Sequence, residues 1–133
     1  MLDDIKYKMY CKMTNKIHNV EMIDFHHRLA FPEFYKSFTM SSFPFEQIVL
    51  LPFVGLLDKD NNEVYLGDVI KDKFGTYYIV NKLNTSFYLC RKGVNKYNKI
   101  SSWSLLKEYS VIDNIYNNES LRKEMNFEWN QLI

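Results

Sequence analysis

Three oxygen-bearing side chains at alternate positions, Asp58, Asp60 and Asn62, have the spacing of the first ligands of a calcium loop. The rest of that loop is missing. Its sixth position, where a sharp turn needs glycine, holds Glu63, and its twelfth, where a bidentate glutamate belongs, holds Val69. A polar hairpin turn explains the same residues, with Lys59, Asp60 and Asn61 at an exposed tip. His26 and His27, with His18, Asp24 and Glu33 close in sequence, invite a metal or catalytic reading. Adjacent side chains diverge on a strand or a helix, and no HxxxH, HExxH or CxxC spacing supports chelation, so solvated loop histidines are expected. There is no GxSxG nucleophile turn. Gly55, Gly67, Gly75 and Gly93 stand too far apart for a phosphate-cradling loop. No residue is therefore nominated as catalytic or as a metal ligand, no cofactor is expected, and the chain reads as non-enzymatic; the alternative is an enzyme with no recognisable motif, through residues that only the fold brings together.

One local charge asymmetry remains. Arg91, Lys92, Lys96 and Lys99 are interleaved with Tyr88, Tyr97 and Trp103. Cations beside exposed aromatics can follow a phosphate backbone and stack bases, or form a protein-binding patch. Arg91, Lys92, Lys96, Tyr97, Lys99 and Trp103 are the candidate binding residues. Seventeen basic against sixteen acidic residues leave a net charge of +1, which does not reinforce a nucleic-acid reading. The two cysteines, Cys11 and Cys90, sit in apolar, strand-like stretches and are too few for a disulfide framework. Free buried thiols in a reducing, cytoplasmic setting are expected.

The elements that must position these residues are mostly strands. At 133 residues and 47% hydrophobic, the chain can bury a core as a single domain. Ile5, Tyr7, Met9 and Cys11 alternate with Lys6, Lys8, Tyr10 and Lys12 as on a half-buried strand. A turn at 13–16 leads to a second strand, 17–25, with Val20, Met22 and Ile23 assigned to the core. From His26 to Gln47 the pattern dissolves into an aromatic loop with Pro32, Pro44 and five phenylalanines, and at most a short helix around Pro32 to Lys36. The longest apolar run, Ile48 to Leu57, is broken by Pro52 and Gly55 and is too short to span a bilayer. It reads as a strand over 48–55. Further strands are expected over 68–71, 77–82, 87–91 and 110–116, separated by turns and by a basic stretch at 94–101. The tail changes period: Leu121, Met125, Trp129 and Leu132 recur at helical spacing behind a cap at Asn117 or Asn118. The expected fold is mainly β, a small β-barrel or rolled antiparallel sheet of SH3-like size with a C-terminal α-helix. It comprises an N-terminal hairpin and aromatic loop (1–47), a barrel core (48–116) and the helix (118–133), whose apolar face is expected on its own sheet ahead of a partner.

The segment Phe53 to Ile70, FVGLLDKDNNEVYLGDVI, resembles the hallmark of the YopX family of phage and prophage proteins, whose corresponding stretch runs like YTGLKDKNGKEIYEGDIV. Gly55, Leu56, Asp58, Lys59, Glu63, Tyr65, Gly67 and Asp68 match. Ile5 to Lys16 is similar to the family's FRAWDKKTKK-type opening, and Val111 to Leu121 (VIDNIYNNESL) to its VIGNIYENPEL block. Here Lys8 and Tyr10 stand for the family's Arg-x-Trp, Asn61 for its hairpin Gly, and Asp113 for the Gly of IGN. The resemblance implies a small β-rich protein of a mobile element in a low-GC Gram-positive or similar bacterium, and carries over no catalytic residue. The resulting expectation is a phage accessory protein in the host cytoplasm that binds a macromolecule. A host or phage protein, including a host defence nuclease to be inhibited, comes ahead of nucleic acid. No membrane contact is expected, and self-association stays open.

Overall fold

The computed structural model describes residues 6–33, 42–84, 86–91, 97–99 and 107–125. The protein is mainly β, with antiparallel pairing throughout and a short helix near the end of the described chain. It divides between Pro52 and Phe53 into two compact units.

In the first unit, β1 (Tyr7–Cys11) lies between β2 (Lys16–Asp24) and the first half of β5 (Ile48–Leu57). Alternation places Met9 and Cys11 in the core with Ala30 and Ile48, and Val20, Phe43, Phe45 and Leu50 pack around them. Tyr10, expected on the solvent face, is also buried, at 6% exposure. Its hydroxyl donates to Asn15 Oδ1 at 2.5 Å, which ties it to the β1–β2 turn. Met22, assigned to the core from sequence, is 48% exposed. The β2–β3 register shifts between Val20 and Met22, and this bulge turns Met22 away from the side on which Val20 packs against the core.

Within the stretch expected to be irregular, the described residues form short paired strands. Asp24 and Leu29 close a hairpin into β3 (Leu29–Pro32), which pairs in turn with β4 (Phe43–Pro44), and a 3-10 turn (Phe45–Gln47) leads into β5. Pro32 therefore ends a strand rather than opening a helix; residues 34–36 of that expected helix lie outside the described residues. Strands of four and two residues leave too little alternation to be seen from sequence, and Pro44 is tolerated because β4 has β3 as its neighbour and lies at the edge of the described ladder.

In the second unit, the far half of β5 turns back into β6 (Glu63–Tyr65), with an irregular register between Phe53 and Leu57 at Gly55, whose φ is +85°. A five-stranded sheet follows in the order β10-β9-β8-β7-β11. Its strands are β7 (Asp68–Lys71), β8 (Tyr77–Leu83), β9 (Ser86–Arg91), β10 (Tyr97–Lys99) and β11 (Ser110–Asn114). Strand β10 lies within the basic stretch at 94–101, where the sequence predicts no strand. Leu56, Val64, Ile70, Val80 and Leu89 form the core, joined by Val54, Tyr78, Tyr109 and Val111. Val69 and Ile79, out of phase with that set, are buried as well, so both faces of the sheet centre are covered. Helix α1 (Glu119–Glu124) starts at Asn118, whose side chain accepts from Leu121 N at 3.0 Å. Leu121 and Met125 are buried, and Arg122 donates to the Ile115 and Tyr116 carbonyls. Trp129 and Leu132 lie outside the described residues. Among the described residues no helix is long and apolar enough to cross a membrane.

Candidate binding surface

The carboxylates that sequence would nominate for chemistry are held by the protein's own amides. Asp58 is 3% exposed. Its Oδ1 accepts the Asp60 and Asn62 N–H groups, both at 2.8 Å, and its Oδ2 accepts Asn62 Nδ2 at 3.2 Å and Val111 N at 2.9 Å. Burial alone would push this carboxyl up; the Val111, Asn62 and Asp60 donors outweigh it and hold it below the ordinary range. With N–H groups converging on both oxygens, Asp58 has the polarity of an amide receptor, opposite to that of a cation ligand. The loop is a three-residue hairpin turn: Asn61 N donates to Asp58 O, Asp58 N to Asn62 O, and Asn61 sits at φ +65°. Lys59 N donates to Tyr109 O, so the β5–β6 tip is fastened to the start of β11.

A second buried cluster joins the two ends of the same unit. Asp68 accepts Tyr65 N at 2.8 Å and Asn114 Nδ2 at 3.0 Å, and Asn114 also donates to Leu66 O and accepts Tyr116 N. Gly67 sits at φ +84° between them, with N–H to Val80 O and O to Ile115 N. A Cβ there would be strained by the positive φ and would lie 3.2 Å from the Asn114 amide, a tight approach that the amide would have to yield to. Tyr65 donates to Glu63, and burial, followed by the Glu63 charge, drives its phenol well above the usual tyrosine range.

Asp72 organises the β7–β8 turn in the same way. Its Oδ1 accepts Phe74 N and Thr76 N, both at 2.9 Å, and its Oδ2 accepts the Tyr78 hydroxyl at 3.2 Å. Burial opposes its ionisation, but the Thr76, Phe74 and Tyr78 donors outweigh it and lower the carboxyl. Beside this turn an open cleft of about 370 Å³ is lined by Gly75, Thr76, Tyr77, Arg91, Glu124 and Met125.

Of the candidate binding residues, Arg91 is exposed at the end of β9, opposite Tyr78. Tyr97 pairs with Cys90 and Lys99 with Tyr88 across β9–β10. Register thus brings three of the six onto neighbouring strands, with Arg91 one residue out of phase with the other two. Lys92, Lys96 and Trp103 lie outside the described residues. His26 and His27 are exposed as expected, but their rings meet edge to face at 4.7 Å. The expected divergence fails because the pair occupies a turn, where strand and helix geometry do not apply. The turn is closed by Asp24, which accepts His27 N at 3.0 Å and contacts His27 Nδ1 at 2.8 Å. Both cysteines are free, Cys11 fully buried and Cys90 half-buried with its thiol pushed up by burial.

The family model described as YopX protein matches residues 4–122. The chain belongs to the YopX family. No curated protein matches it. Among solved structures, protein EF1440 from Enterococcus faecalis is similar in fold, with a TM-score of 0.61 and 17% identity over 89% of this chain and 97% of that one. The buried clusters give the YopX hallmark a physical meaning. Its central and C-terminal blocks meet in space, through Asp58 with Val111 and through Asp68 with Asn114. Asn61 holds the left-handed turn that the family gives to Gly. Asp113, replacing the Gly of IGN, sits at the β11 bulge, where its carboxylate accepts Asn114 N and Asn118 Nδ2.

Proposed function

We propose that this YopX-family chain is a non-enzymatic accessory protein of a phage or prophage. It acts in the host cytoplasm by binding another macromolecule, a host protein ahead of nucleic acid. One contrast carries the reading: Asp24, Asp58, Asp68 and Asp72 each accept their own backbone amides, while Phe25 and Phe74 stand 69% and 81% exposed at hairpin tips. Carboxylates engaged in this way hold turns, whereas exposed rings are the side chains from which protein interfaces draw much of their energy. Occlusion of a host defence nuclease is the specific form proposed, by analogy with small proteins that block larger machines. A small rolled sheet or barrel of SH3-like size is the proposed architecture behind it.

The pairing of β9 with β10, which sets Tyr97 and Lys99 beside the strand of Arg91, favours a second reading as a nucleic-acid binder. Affinity capture of the full chain from infected or lysogenic cells, with mass spectrometry and nucleic-acid sequencing of the eluate, separates the two. A discrete protein partner is expected. Recovery of nucleic acid alone, persisting at moderate salt, would overturn the first reading in favour of the second.

A further inference from the structure

Two hairpin turns of the second unit are built to one plan. In Asp58-Lys59-Asp60-Asn61-Asn62 and in Asp72-Lys73-Phe74-Gly75-Thr76, the first residue's Oδ1 accepts the N–H groups of the third and fifth. The fourth residue lies at positive φ (+65° and +83°) and donates to the first carbonyl, and the first N–H donates to the fifth carbonyl. Within each turn the third position contributes its amide; the Asp60 side chain only reaches outside its turn, where it accepts the Ser110 hydroxyl at 3.4 Å. One turn fills it with aspartate, the other with a phenylalanine that is 81% exposed. Phe74 is surplus to the architecture of its own turn, and the Asp72 carboxylate holds its backbone rigid.

We infer that the Phe74 tip is a preorganised anchor that inserts into an apolar pocket, rimmed by carboxylates, on a protein partner. This rests on the protein-binding reading above and names its surface. The charge around the tip sets the chemistry of the rim. Lys71, Lys73 and Arg91 are exposed, whereas the Asp72 carboxylate is turned onto Phe74 N, Thr76 N and the Tyr78 hydroxyl. Glu124 faces the adjoining cleft beside Arg91, which leaves the cations in excess. Lys73 Nζ lies 5.2 Å from the Phe74 centroid, over one face of the ring, and leaves its edge and the other face open. A partner that takes the ring edge-first and meets the lysines with carboxylates fits both features. A rigid turn lowers the ordering cost of such an anchor.

The test places p-benzoylphenylalanine at Phe74 and, in a separate full-length chain, at Asp60, with irradiation in host cells and mass spectrometry of the adducts. A single protein cross-linked from position 74 and not from 60, at a peptide bearing Asp or Glu, is expected. Phe74→Asp should melt with the wild type, because aspartate already holds that place in the twin turn. It should weaken binding to the cross-linked protein about thirtyfold, and Lys73→Glu should weaken it about tenfold. Equal adducts from both positions, adducts with nucleic acid or lipid alone, or Phe74→Asp binding within about twofold of wild type would each overturn the inference. A protein captured equally by wild type and Phe74→Asp removes this anchor and leaves the protein-binding reading standing; a wild type that captures no protein removes both.

Discussion

At the scale of single residues, Asp58 and Gly67 bear most of the burden. Four donors converge on the Asp58 carboxylate from two segments 53 residues apart. Asp58→Ala strands those N–H groups, and a loss of roughly 3 kcal/mol is expected in denaturant unfolding. The pH dependence has a definite sign. Asp58 and Asp72 are both lowered from 3.8 in the folded protein, so the stability they contribute is complete above that unfolded value. It disappears as pH falls through their lower folded values. Melting temperature should therefore drop below about pH 4 on account of these groups, and the drop should be shallower in Asp58→Asn, measured from about pH 5 down to about pH 3. Gly67→Ala forces a side chain into left-handed backbone and against the Asn114 amide at 3.2 Å. A loss of about 2 kcal/mol or more is expected by the same measurement. A melting temperature equal to wild type would remove the role assigned to Gly67 in joining the two hallmark blocks.

At the scale of elements, the β5–β6 hairpin gives the cleanest prediction. Asn61 sits at φ +65°, so Asn61→Gly should be neutral or mildly stabilising, while Asn61→Val should cost about 1 kcal/mol or more. Equal thermal melts for the two variants would contradict the turn. This element was readable from its residues because Asp and Asn signal their own backbone geometry over five positions. The strands at 68–71 and 77–82 were readable as short apolar runs bounded by turn signals, and so was the cap at Asn118, one of the two caps expected. Elements that depend on distant partners were not readable. The buried Asp68–Asn114 pair spans 46 residues, and neither residue type announces burial. Strand β10 is three polar and aromatic residues that become a strand only by pairing with β9. The short strands β3 and β4 carry prolines, and Met22 was misplaced by a bulge that leaves no mark in composition. Of the candidate surface, the exposure of the basic end at Arg91 was legible, whereas the Phe74 tip was not. A lone phenylalanine in a turn looks like a core residue until its twin turn shows that the fold does without it.

At the scale of the whole molecule, charge decides between the two functional readings. Seventeen basic and sixteen acidic residues give a net charge of +1, and long-range attraction to a polyanion needs more than that. Any nucleic-acid affinity must come from a local track, for which Arg91, Lys92, Lys96 and Lys99 are the cations. Such a track has two signatures: affinity that falls steeply with salt as counterions are released, and loss of binding when its charges are reversed. The expected result for the wild type is single-stranded oligonucleotide binding no tighter than the non-specific range of about 10⁻⁴ to 10⁻⁶ M. Reversal of Arg91, Lys92, Lys96 and Lys99 to Glu should then weaken only that residual, salt-sensitive binding. If the wild type instead binds below micromolar concentration, weakens steeply with salt and is silenced by the fourfold reversal, the track is real and the nucleic-acid reading displaces the protein-binding one. Phe74 offers a check from the other side of the argument. A nucleic-acid track along β9 and β10 has no need of a ring at the β7–β8 turn, so Phe74→Asp should leave that affinity intact while impairing a protein-docking function.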